Sequence, residues 1–94
     1  MEAKLSAEQI TGRLADAPGW KASAEASIQR RFEFADHITA MGFAVRVGMI
    51  AEVLDHHPEM RIVYHTIDIT LSTHDAEGVT EKDFALARKI DALT

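Results

Sequence analysis

The spacing of apolar residues changes along the chain, and each change marks an element. Ile10 and Leu14 fall on one face of a short helix, onto which Leu5 can staple through Ile10. Ser6, with Gln9 three residues on, reads as its N-cap and capping box. Asp16-Ala17-Pro18-Gly19 stops it, since proline and glycine do not continue a helix. Trp20 follows as a core anchor opening a short strand. From Ser27 to Phe34 the period is two. Ile28, Arg30, Phe32 and Phe34 share one face and Ser27, Gln29, Arg31 and Glu33 the other, a half-buried strand. Arg30 interrupts the apolar face; its stem could cover an edge while the guanidinium reaches water.

From Ala35 to Asp55 the period becomes helical. Ile38, Met41, Val45, Met49 and Val53 form one apolar row, and Phe43, Val47, Ile50 and Leu54 a second. One row suffices to seat a helix on a sheet, so the other asks for a second surface, which predicts a homo-oligomer. Gly42 and Gly48 would permit close approach there. Pro58 ends this helix. Arg61–Tyr64 and Ile67–Ser72 read as strands joined in a hairpin, although the turn at His65-Thr66 lacks glycine. Thr80 with Asp83 resembles a capping box, and Phe84, Ala87 and Ile90, flanked by Leu86 and Leu93, make the closing helix amphipathic. The order α-β-β-α-β-β-α predicts an α+β fold, a four-stranded antiparallel sheet with three helices on one face, as a single domain over residues 1–94.

Composition narrows what such a domain does. The chain has no cysteine, which excludes disulfides, thiolate metal sites and a cysteine nucleophile. Its net charge of −5 comes from 10 basic and 15 acidic residues, and the basic ones are scattered, adjacent only at Arg30-Arg31 and Arg88-Lys89, so no nucleic-acid contact is expected. Met1-Glu2-Ala3-Lys4 lacks the apolar core of a secretory signal, and no apolar run nears the roughly 20 residues that span a bilayer. A cytoplasmic protein acting on a small molecule or a protein partner is the expectation.

Three of the five histidines fall in two short segments, Glu52-Val53-Leu54-Asp55-His56-His57-Pro58 and Ser72-Thr73-His74-Asp75. Imidazole exchanges protons near neutral pH. Glu52 and His56, four apart, could touch on one helix face, fixing the imidazole tautomer. A helix C-terminus also favours protonated imidazole. If the hairpin returns His74 beside the helix end, three imidazoles line one pocket. The residues alone leave open a catalytic cluster, solvated surface histidines, or a metal site, for which adjacent histidines diverge. His37 and His65 are read as structural or solvent-facing.

Glu52-x-x-x-His56-His57-Pro58, then Tyr64, His74 and Asp83, resembles the signature of the pterin-4a-carbinolamine dehydratases. The likeness runs from about Leu5 to Leu93 and includes Gly19-Trp20, Phe32-x-Phe34 and Ile69-Thr70-Leu71-Ser72-Thr73-His74. Met60 stands where many members carry tryptophan, and would supply apolar contact to the pterin in its place. The resemblance implies dehydration of 4a-hydroxytetrahydropterin to quinonoid dihydropterin, without metal or cofactor. It implies that His56 and His74 transfer protons and that His57 chiefly positions the pterin. Glu52 and Asp83 would orient the histidines, and Asp55, Ser72, Thr73 and Asp75 would hydrogen-bond the substrate. Animal members also serve as dimerisation partners of a homeodomain transcription factor, which implies an alternative role in protein binding. Homodimer and homotetramer both fit.

Overall fold

The computed structural model describes residues 3–23 and 26–94, so Met1 and Glu2 of the opening segment lie outside the described residues. Helix α1 (Ala7–Leu14) begins as its sequence dictates: Ser6 Oγ accepts the Gln9 amide at 3.1 Å and Gln9 Oε1 accepts the Ser6 amide at 2.9 Å. Strands β1 (Lys21–Ser23) and β2 (Ser27–Glu33) form a hairpin, and β3 (Glu59–Val63) and β4 (Thr66–Leu71) form another. The four make one antiparallel sheet in the order β1-β2-β4-β3. The β3–β4 turn manages without glycine because Tyr64 itself takes the left-handed conformation, at φ 51°.

Helix α2 (His37–Leu54) joins β2 to the far edge of the sheet, and α3 (Glu81–Asp91) closes the chain. The register sets Ile28 opposite Leu71 and Phe32 opposite Ile67, so β2 and β4 offer one apolar face. Phe43 and Val47 of α2 and Phe84 and Ile90 of α3 are buried in the same core. The Phe43 ring centre lies 4.9 Å from those of both Phe32 and Phe34. Fully burying a side chain of this size contributes about 1.5–3 kcal/mol, which is what seats the helices. The opposite face is polar: Arg31 binds Asp68 through 2.7 and 3.0 Å bonds, which hold the Asp68 carboxyl below its ordinary value.

In α2, Asp36 caps the start, its carboxylate accepting the Thr39 amide at 2.8 Å, a bond that keeps it below the ordinary carboxylate range. Pro58 does not end the helix. Asp55 does, by turning left-handed (φ 52°, ψ 45°) while its amide and that of His56 bond back to Glu52 and Ala51. The two apolar rows have different fates. Phe43 and Val47 are buried and Ile50 is half-buried, although Leu54 at the end of that row is exposed, whereas Ile38 is 84% and Val53 85% exposed, with Met41, Val45 and Met49 between them also exposed. A Cβ at Gly42 or Gly48 would meet nothing within 4 Å. The helix is 18 residues long with a mean hydropathy of 1.4, enough by length and composition to cross a bilayer, contrary to the sequence expectation. Five of its residues, Ala40, Phe43, Ala44, Val47 and Ala51, are buried.

Arg30 also departs from expectation. Its guanidinium does not run out to water; Nη1 binds Asp91 Oδ1 at 2.8 Å and the Pro18 carbonyl at 3.3 Å, with the group 4.5 Å from the Phe32 ring centre. Trp20 Nε1 donates to both Asp91 oxygens at 3.0 Å. Gly19, at φ 93°, passes so close that a Cβ would stand 2.7 Å from Arg30 Nε. One carboxylate on α3 thus ties the turn before β1 to β2. Asp91→Ala, which strands both donors, should cost about 1.5–3 kcal/mol in urea unfolding; a loss under about 0.5 kcal/mol would show the tie to be dispensable.

Candidate active site

The register that builds the sheet also assembles the site. Glu59, the first residue of β3, pairs with Thr70 near the end of β4. The chain just before β3, His56 to Pro58, therefore runs beside the chain just after β4, Ser72 to His74. Between them is a cleft of about 260 Å³ lined by Asp55, His56, His57, Ser72, Thr73, His74, Asp75 and Lys82. All seven residues expected to hold substrate line it. Lys82 was missed; it sits in the first turn of α3, and only the closure of that helix onto the loop brings it in. A larger hollow of about 520 Å³ lies on the open sheet face, lined by Gly19, Lys21, Gln29, Arg31 and Asp68, with no group suited to proton transfer near neutral pH.

The expected pairing of Glu52 with His56 is not what forms. His56 Nε2 binds Asp83 Oδ1 at 2.6 Å, while Glu52 Oε1 binds His57 Nε2 at 2.9 Å. Spacing by four places two residues on one face only while the helix lasts, and α2 stops at Leu54. The two pairs differ in kind. His56 and Asp83 side chains are 12% and 0% exposed, whereas His57 and Glu52 are 56% and 80% exposed.

Asp83 is the buried centre of the arrangement. Its Oδ2 accepts the Thr73 hydroxyl and the Thr80 amide, each at 2.9 Å, and Thr80 Oγ1 stands 2.7 Å from Thr73 Oγ1. A carboxylate only accepts, so His56 Nε2 carries the proton and Nδ1 is left to exchange one. His74 opens a 3-10 turn (His74–Ala76) held by the Thr73–Gly78 bridge, and its side chain is exposed without a hydrogen bond among the described residues. Two imidazoles held by carboxylates and one unanchored thus line a single cleft.

His37 and His65 lie elsewhere: His37 Nδ1 is 2.6 Å from the Tyr64 carbonyl oxygen, and His65 stands against the Tyr64 ring. Tyr64 is at the far end of the β3–β4 hairpin from the cleft. Met60 packs against the hydrophobic core and is not among the cleft-lining residues. Among the described residues no three His, Asp or Glu side chains gather as a metal site.

Comparison with known proteins agrees with this fold. The family model described as Pterin 4 alpha carbinolamine dehydratase matches residues 3–93. A Burkholderia orbicola protein with the provisional name pterin-4-alpha-carbinolamine dehydratase is 53% identical over 89 residues, covering 94% of this chain and 87% of its own. A Paraburkholderia xenovorans protein of the same provisional name is 48% identical over 92 residues, covering 97% of this chain and 96% of its own. The crystal structure of a transcriptional coactivator/pterin dehydratase from Brucella melitensis superposes with a TM-score of 0.91 at 40% identity, covering 96% and 97% of the two chains. A pterin dehydratase-like protein described as a RuBisCO assembly factor in the alpha-carboxysome shares the fold, with a TM-score of 0.68 at 22% identity over 80% and 88% of the chains. The fold is that of the pterin dehydratase class. The chain belongs to the pterin-4a-carbinolamine dehydratase family.

The contrast between the two carboxylates is measurable. Asp83→Ala strands three buried donors and should cost about 3 kcal/mol or more in denaturant unfolding. Glu52→Ala, at an exposed pair, should stay within about 0.5 kcal/mol of the parent. Equal effects would contradict the burial argument.

Proposed function

We propose that this chain is a hydro-lyase that dehydrates 4a-hydroxytetrahydropterin to quinonoid dihydropterin, in the recycling of tetrahydropterins in the cytoplasm. The observation that carries the reading is one cleft lined by His56, His57 and His74, with His56 anchored on a buried carboxylate. In the reaction the C4a–O bond breaks and its electron pair leaves with the oxygen, which takes a proton to depart as water. The N5 lone pair closes the C4a=N5 double bond, and the N5 proton leaves to a base. One proton is delivered and one removed, so two imidazoles serve as a matched acid and base. His56 and His74 are that pair, and His57, steadied by Glu52, positions the ring. Asp55, Ser72 and Asp75 offer hydrogen bonds to the pterin edge. Alanine at His56 or His74 should lower turnover by about two orders of magnitude or more in a stopped-flow dehydration assay, with no response to a chelator. An unchanged rate would defeat the reading.

A second reading rests on the exposed row of α2, Ile38 to Val53. Such a face fits a second copy of the chain, making a homodimer or homotetramer, or a transcription factor for which the protein acts as dimerisation partner. The relative described as a coactivator as well as a dehydratase supports keeping both. Sedimentation should give a multiple of the 10.4 kDa chain mass, and Val45→Glu should reduce it to that of one chain. A concentration-independent monomer in the parent would remove the oligomer.

A further inference from the structure

The hydroxyls of Thr73 and Thr80 have no solvent to serve. Thr80 is 0% and Thr73 7% exposed, and both sit against Asp83. Their protons can be counted. Thr73 Oγ1 gives its single proton to Asp83 Oδ2, so the 2.7 Å contact between the two hydroxyls must be made with the Thr80 proton. Thr80 Oγ1 in turn accepts the Lys82 amide at 3.2 Å. The bonds therefore run one way, from the Lys82 amide through Thr80 and Thr73 to Asp83, whose other oxygen holds His56 Nε2. The backbone of Thr73 is equally committed, its amide to the Gly78 carbonyl at 2.8 Å and its carbonyl to the Ala76 amide at 3.1 Å. No donor on Thr73 remains for a substrate.

We propose that Thr73 and Thr80 are positioning residues that fix Asp83 and, through it, the tautomer and orientation of His56. The first turn of α3 is then part of the catalytic apparatus rather than only a helix cap. Directional chains of this kind strengthen each bond in a dry interior, and a relay missing one hydroxyl frees the carboxylate to turn. The kinetic consequence rests on the dehydratase reading above; the tautomer does not.

The test uses the full chain labelled with ¹⁵N-histidine, read by long-range ¹H–¹⁵N correlation at a pH where imidazole is neutral, together with dehydration kinetics on 4a-hydroxytetrahydropterin. In the parent, His56 should be predominantly the Nε2–H tautomer. Thr73→Val and Thr80→Val, each close in shape but lacking the hydroxyl, should mix in the Nδ1–H form. They should lower kcat about tenfold while moving KM less than about threefold. Thr80→Ser, which keeps the hydroxyl, should stay within about twofold of the parent. A role confined to capping α3 would shift the unfolding midpoint of Thr80→Val and leave tautomer and kcat alone, overturning the proposal. Should Thr80→Val fail to fold, Thr73→Val decides, because it leaves the Thr80 amide on Asp83. An Nδ1–H tautomer in the parent overturns the proposal with no variant at all. If the parent turns over no carbinolamine, the functional reading fails and the tautomer alone judges this one.

Discussion

The structure depends on one buried carboxylate that, among the described residues, is bonded to an imidazole but to no lysine or arginine. Removing an ionised group from water is costly unless hydrogen bonds replace its hydration. Asp83 has three, from the Thr80 amide, the Thr73 hydroxyl and His56. A capping box alone uses only one carboxylate oxygen, here Oδ2, and would leave Oδ1 orphaned in a fully buried side chain. His56 removes that penalty. The start of α3 and the anchoring of His56 are therefore one event: neither is satisfied without the other, and the loop between Thr73 and Thr80 is closed by the same atoms.

Topology explains why these groups, far apart in sequence, meet. The chain leaves β2, crosses the sheet on α2, enters at the far edge as β3 and turns back as β4 between β3 and β2. Because β3 and β4 are antiparallel, the exit of α2 and the exit of β4 share one end of the sheet. Asp55 makes the turn tight enough, holding a left-handed conformation in which glycine is easier to accommodate. A carboxylate kept where glycine would relieve strain, on the lip of the cleft, fits the substrate-facing role given to it above.

Much of this was legible in the residue pattern, for physical reasons that also mark where legibility ended. Period and caps are local, so Ser6 with Gln9, Thr80 with Asp83, and the alternation of β2 and β4 could be read directly. The Glu52–His56 pairing failed because it assumed helical geometry one residue beyond the left-handed stop. Arg30 with Asp91, and His56 with Asp83, join residues 61 and 27 positions apart, and no spacing rule reaches that far. Asp83 was marked by family resemblance as an orienting residue, but its partner was assigned to Glu52. Lys82 carried no signal beyond its place in a predicted helix start.

Helix α2 remains the element on which fold, site and surface converge. Its buried row fixes it to the sheet through Phe43 and Val47, which sets where its last turn falls and hence where His56 and His57 emerge. Its exposed row runs the whole length to Val53, beside Glu52, whose partner is His57. Whatever covers that row must come close to the exposed Glu52–His57 pair, and would exclude water from it far more than from His56, which is already sealed by Asp83. An oligomer built on α2 would then act first on His57, for which a positioning role is proposed above. His56 would keep a geometry set by Asp83 within one chain.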